Sequence, residues 1–140
     1  MNLLVKVLQD LYIISEGGIV LYHRVFDEKL DEQLFGGLMS ALNSFAEELT
    51  NEGLSNFELK DKRYTLIRKN DILFVSNSSN KIKAKKVIEE LETIVERFFD
   101  LYSLELLATW EGDVSIFLDF EKEIEDSLEG TIQKLQKAFW

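Results

Sequence analysis

The stretch from Asp31 to Thr50, DEQLFGGLMSALNSFAEELT, constrains the fold more than any other part of the chain. It reads as one amphipathic helix of about five turns, set between an apolar hairpin pattern and a run of three strand patterns. Leu34, Leu38, Ala41, Leu42, Phe45 and Leu49 recur at the spacing of a single helical stripe, the side expected to be covered. Asp31 and Glu32 fall in the first turn, where carboxylates favour the positive end of the helix dipole. Phe35, Met39 and Ala46 add apolar surface outside that stripe, more than one covered face requires. Gly36 and Gly37 each cost roughly 1 kcal/mol against alanine inside a helix. Their use is close approach by another backbone, either the strands beneath or a partner protein.

The flanking segments supply the sheet. From Leu8 to Ile14 the chain is strand-like, Ser15-Glu16-Gly17-Gly18 is a turn, and Ile19 to Phe26 returns as a second strand. Tyr12-Ile13-Ile14 and Ile19-Val20-Leu21-Tyr22 are continuous apolar runs, as expected where both faces of a sheet are covered. Residues 1 to 7 are an apolar lead-in with no legible conformation. After the helix, strands are expected over Asn56 to Asp61, Arg63 to Lys69 and Asp71 to Ser76, separated by Asp61-Lys62 and Asn70-Asp71. Phe57, Leu59, Tyr64, Leu66, Ile67, Leu73 and Val75 are their expected core residues. Connections this short can join only antiparallel neighbours. Asn77-Ser78-Ser79-Asn80 reads as a loop offering N-caps to a second helix, Lys81 to Tyr102. That helix carries a stripe of Ala84, Val87, Ile88, Leu91, Ile94, Val95, Phe98, Leu101 and Tyr102. A connection around Gly112 leads to a last helical segment, Asp113 to Trp140, lined by Val114, Ile116, Phe117, Phe120, Ile124 and Leu128 and interrupted near Gly130. The order ββαβββαα makes an α+β sandwich, read as one domain over residues 1–140.

Composition excludes several chemistries. Forty-six per cent hydrophobic and 30% charged residues are ordinary for a soluble globular chain. No apolar run reaches the roughly 20 residues of a membrane span. The opening MNLLVKVL is too short for a signal peptide, so a cytoplasmic location is expected and the sequon Asn77-Ser78-Ser79 is read as coincidence. With no cysteine there is no disulfide, thiolate zinc site or cysteine nucleophile. His23 is the single histidine, read as a surface strand residue, so the usual zinc and nucleophile–base arrangements cannot be assembled. Neither glycine pair has the spacing or following lysine of a phosphate-binding loop. The carboxylates between Asp119 and Glu129 form the polar face of a helix, without calcium-loop spacing. No catalytic residue, metal site or cofactor is therefore expected. A net charge of −10 argues against nucleic acid and allows at most peripheral membrane association. One local exception stands out: Lys81, Lys83, Lys85 and Lys86 cluster within six residues. Trp110 and Trp140 are read as packing residues, with an exposed Trp140 able to anchor a partner.

The hairpin LYIISEGGIVLYHRVF, the helix LFGGLMSALNSFAEEL and the strand pair YTLIRKNDILFVS together resemble the longin domain of the longin/roadblock superfamily, over about Leu11 to Leu128. The helix phrase is most similar to stand-alone archaeal longin proteins of the Asgard type and to the first longin domain of Fuzzy-type trafficking proteins. The resemblance implies a longin/profilin-like five-stranded antiparallel sheet, the first helix on one face and the C-terminal helices on the other. It implies a non-enzymatic scaffold or regulator that pairs with itself or with another longin/roadblock protein. Such a scaffold engages a small Ras-like GTPase or serves vesicle-trafficking assemblies. The pairing surface carried over comprises Phe35, Met39 and Asn43 on the helix and Asn56, Phe57, Glu58 and Leu59 on the edge strand. The heptads of a longin SNARE fusion segment are not present in this sequence, so a SNARE role is not expected. The competing reading is a small-molecule or lipid-sensing module with a pocket between sheet and helices.

Overall fold

Two two-residue turns set the geometry of the sheet. β3 (Asn56–Leu59) and β4 (Lys62–Lys69) are joined through Lys60 and Asp61, and β4 and β5 (Ile72–Ser79) through Asn70 and Asp71. Asn70 and Asp71 take φ of 51° and 65°, the positive pair that a type I′ hairpin turn requires and that Asn and Asp tolerate best. The computed structural model describes residues 7–25 and 31–124.

β1 (Leu11–Ile14) and β2 (Val20–Arg24) form the first hairpin, and all five strands make one antiparallel sheet in the order β2-β1-β5-β4-β3. β2 and β3 are thus the two opposite edges, and the chain between them is α1 (Glu32–Thr50). Four inter-strand steps span about 19 Å, whereas 19 helical residues reach about 28 Å. The helix is long enough to carry the chain from one edge to the other over a single face. Asp31 caps it from outside: its Oδ1 accepts from the amides of Gln33 at 2.9 Å and Leu34 at 3.1 Å.

The opposite face carries α2 (Ala84–Leu101), α3 (Leu104–Ala108) and a 3-10 helix, Val114–Phe120, that runs into α4 (Glu121–Ile124). Strand alternation divides the core accordingly. Leu11, Ile13 and Phe74 pack under α2 with Val87, Leu91, Ile94 and Phe98, while Tyr12, Ile14, Leu66 and Val75 pack under α1. A bulge opposite Ile13 and Ile14 lets the consecutive residues Leu21 and Tyr22 both join the α2-side core. The apolar runs of the first hairpin serve a sheet covered on both sides, except that Ile19, expected to open the second strand, precedes it and is 45% exposed. This is the expected five-stranded α+β sandwich.

Several boundaries differ from expectation. β1 begins at Leu11 rather than Leu8, because Asp10 is held by Asn77 instead of a regular ladder: Asn77 Oδ1 accepts from the Asp10 amide and its Nδ2 donates to the Asp10 carboxylate. β5 continues to Ser79, so the Asn-Ser-Ser stretch is strand, and α2 starts after Lys83 with no side-chain cap. Ala84, Ile88 and Leu101 are exposed, leaving Val87, Leu91, Ile94, Val95 and Phe98 as the buried stripe of α2. Leu59, expected in the core, is 55% exposed, and Ile67 packs on the α2 side.

The connection after α2 contains the short helix α3, capped by Ser103 Oγ on the Leu106 amide. The 3-10 period places Phe117 and Phe120, three apart, on one buried side and turns Ile116 off it, while Val114, the first residue of that helix, is 39% exposed although it shares the period. Phe117 stacks across Phe98 at 5.9 Å and meets Trp110 edge-on at 5.7 Å, making Trp110 a packing residue. The ends of the expected second strand (Phe26) and last helix (Leu128, Gly130, Trp140) lie outside the described residues.

Candidate interaction surface

α1 carries two apolar stripes, and only one of them can face the sheet. The buried side is Phe35, Gly36, Met39 and Asn43. Phe35 lies flat on Tyr12 with ring centroids 4.0 Å apart and reaches Tyr64 at 6.2 Å. Met39 is 2% exposed. Asn43 holds the loop after the helix, accepting from the Leu54 amide at 3.1 Å while donating to Glu47 at 2.8 Å. Gly36 decides the choice of face: it packs directly on the Gly18 carbonyl and the Val20 side chain. Gly37, one residue on, faces open space. Close helix-to-sheet approach therefore explains the first glycine of the pair and not the second.

The expected assignment of the two stripes is thus reversed. Leu34, Leu38, Leu42, Phe45 and Leu49, expected to be covered, stand 38–70% exposed along the outer side of α1. Phe35, Met39 and Asn43, carried over as pairing residues, are buried by the chain's own sheet and offer no surface. Hydrophobic periodicity points to the wrong face, because the exposed stripe holds more large apolar side chains than the buried side with its Asn43. The usable signal was the phase of Gly36, which lies on the Phe35–Met39 side.

β3 forms the second part of the surface. The Leu66 amide donates to the Ser55 carbonyl, and with Phe57 opposite Tyr64 and Leu59 opposite Lys62 this turns the amides and carbonyls of Asn56 and Glu58 away from the sheet. That is an open edge. Phe57 is half-buried, stacked on Tyr64 at 4.8 Å, and Leu59 shares its face by alternation. Glu58 points to the other face, where it meets Arg63 at 3.4 Å.

Polar chemistry around this surface is modest. Arg68 ties β4 to α1 through Glu47 at 2.6 Å and to the β4–β5 turn through Asp71 at 3.0 Å. These three line an open hollow of about 260 Å³ with Ser15, Ser40 and Ser44. Other surface hollows of about 290 and 340 Å³ lie beside α2 at Ile88 and beside α3 at Trp110. Between sheet and α2 the space is filled by aromatic rings, Phe74 meeting Phe98 at 5.4 Å and Phe98 meeting Phe120 at 5.4 Å. Among the described residues no three His, Asp or Glu side chains converge as metal ligands, and no helix is long and apolar enough to cross a membrane.

Among solved structures the chain is similar to a roadblock/LC7 domain from Streptomyces avermitilis, at 14% identity over 68% of this chain and 87% of that one, with a TM-score of 0.56. The fold is roadblock/longin. The chain is also similar to Myxococcus xanthus MglB, at 12% identity over 66% of this chain and 84% of that one, with a TM-score of 0.50. No protein-family model matches the sequence, and no curated protein is similar to it.

Proposed function

We propose that this roadblock/longin chain is a non-enzymatic scaffold that pairs through the outer face of α1 and the open edge of β3. The partner is a second copy or another longin/roadblock domain, and the paired body engages a small Ras-like GTPase. The observation that carries the reading is the row Leu34, Leu38, Leu42, Phe45 and Leu49, five large apolar side chains left in water along one helix. Contiguous apolar surface of this kind marks an interface in a soluble protein, and an unpaired strand edge beside it is a template for further pairing. The GTPase enters through the resemblance of the hairpin, helix and strand pair to the longin domain. Any effect on hydrolysis would come from positioning the GTPase's own machinery, because the residue inventory supplies no activated nucleophile. Such a scaffold belongs in a cytoplasmic, trafficking-type assembly.

The test is native mass by light scattering. Wild type is expected as a dimer, and Leu38→Glu with Phe45→Glu as a folded monomer that also loses capture of Ras-like GTPases from the same source. A wild type that stays monomeric at high concentration and binds no such GTPase would refute the reading.

A further inference from the structure

The tertiary structure gathers lysines that the sequence keeps apart. Asn80 donates from Nδ2 to the Lys60 carbonyl at 3.0 Å and from its amide to the Asp61 carbonyl at 3.1 Å. Arg63 reaches under the same loop, donating to the carbonyls of Ile82 at 2.9 Å and Asn80 at 3.4 Å. The β3–β4 turn is thereby stitched to the start of α2. Lys60 is thereby held beside Lys81, Lys83, Lys85 and Lys86, all exposed, and the half-buried Lys62, paired with Ser79 at the same end of the sheet, joins this pole from the α1 side. Six of the 16 basic residues of a chain with net charge −10 stand together there.

Little neutralises them. Among the described residues the one ion pair made by these lysines is Lys86 to Glu90, at 3.8 Å. Asp61 is the carboxylate within the pole, Glu58 being engaged by Arg63. The first turn of α2 holds no acidic residue, and Lys83 occupies its cap position.

From this arrangement we propose that the lysine pole docks the protein on a membrane surface rich in anionic lipid. Lysine is a mobile, strongly hydrated point charge, suited to a plane of lipid headgroups rather than to a shaped anion pocket. Leu59, 55% exposed and adjacent to Lys60, supplies an apolar tip beside the charges. The features that favour nucleic acid are missing from the pole. Its one arginine is spent on backbone carbonyls, and its residues include no aromatic ring for a base to stack on. The negative net charge does not oppose this geometry, because acidic groups more than about 8–10 Å from the lipid plane are screened at physiological salt. The inference does not depend on pairing through α1.

The experiment is co-sedimentation with vesicles of phosphatidylcholine alone or with about 30% phosphatidylserine, across a salt series. Wild type is expected to partition onto the anionic vesicles only, and less as salt rises. Lys81→Glu with Lys83→Glu and Lys85→Glu lowers that partition at least about tenfold. Lys60→Gln with Lys62→Gln, remote in sequence, lowers it at least about fivefold. Lys122→Glu, away from the pole, leaves it unchanged, and circular dichroism verifies that each variant is folded. Equal partition of wild type onto both vesicle types would overturn the proposal, as would undiminished binding by the triple variant. Binding to polyglutamate or duplex DNA without binding to vesicles would also overturn it, reassigning the pole to an acidic protein or a nucleic acid.

Discussion

Gly36 of α1 rests against the carbonyl of Gly18 in the β1–β2 turn: a β-carbon on Gly36 would stand 2.7 Å from that oxygen and 2.7 Å from Cγ2 of Val20. Neither neighbour can yield easily, since one is backbone and the other a stiff β-branched side chain in the core. Gly36→Ala is expected to destabilise by about 1–3 kcal/mol despite alanine's better helix propensity. Gly37→Ala meets nothing within 4 Å and is expected to stabilise by about 0.5–1 kcal/mol. Urea denaturation of the two variants checks the pair. Equal effects would mean that helix-to-sheet contact is not what holds this glycine.

Phe35 and Phe45 share a helix and differ in what they touch. Phe35 is 7% exposed and stacked on Tyr12, so Phe35→Ala should cost about 3–5 kcal/mol. Phe45 is 63% exposed, and Phe45→Ala should alter monomer stability by no more than about 0.5 kcal/mol. If Phe45 lies in a pairing surface, its variant loses the dependence of melting temperature on protein concentration that a dimer shows. Calorimetry at two concentrations separates these effects.

Asn43 is a buried polar residue with both ends of its amide engaged, by Leu54 and Glu47. Asn43→Ala strands the Leu54 amide and should cost about 1–3 kcal/mol. Its local signature would be faster hydrogen exchange at Leu54, with exchange in β1 and β5 following the global loss alone. Unchanged protection at Leu54 would show that water replaces the side chain.

Burial pushes the Tyr22 hydroxyl up to about 12, with the nearby Glu121 carboxylate adding to the rise and Arg24 opposing it. An unfolded tyrosine ionises near 10, so above that pH the unfolded chain gives up this proton first. The stabilisation is complete below about pH 10 and is lost as pH climbs through about 12, on the order of 2 kcal/mol in all. Tyr22→Phe should flatten that part of the alkaline stability curve. A variant curve parallel to wild type across this window would remove Tyr22 as its source.

Much of the fold was legible because local rules set it. The extent of α1 follows from its acidic start and unbroken apolar period, and the β4–β5 turn from Asn70 and Asp71, which accept positive φ, whereas the β3–β4 turn falls at Lys60 and Asp61, one residue before the expected Asp61-Lys62. The C-terminal part was less so. Phe117 and Phe120 obey a period of three, which a reading at 3.6 residues per turn spreads onto Ile116, and Val114 is exposed as the first residue of that helix. The extension of β5 through Ser79 escaped notice because polar residues there are buried by pairing with β4 and by Asn77's hold on Asp10, contacts remote in the chain.

The sequence by itself determined the elements, their order and the antiparallel pairing that short connections impose, since each depends on residues a few positions apart. Only the tertiary structure decided which stripe of α1 meets the sheet, and so which one is left for a partner. It alone also brought Lys60 and Lys62 to the lysines of α2. Along the chain the richer apolar stripe is the one that ends facing out. The choice arises when a surface is available to fit, and the missing side chain of Gly36 lets one side of the helix sit against Gly18.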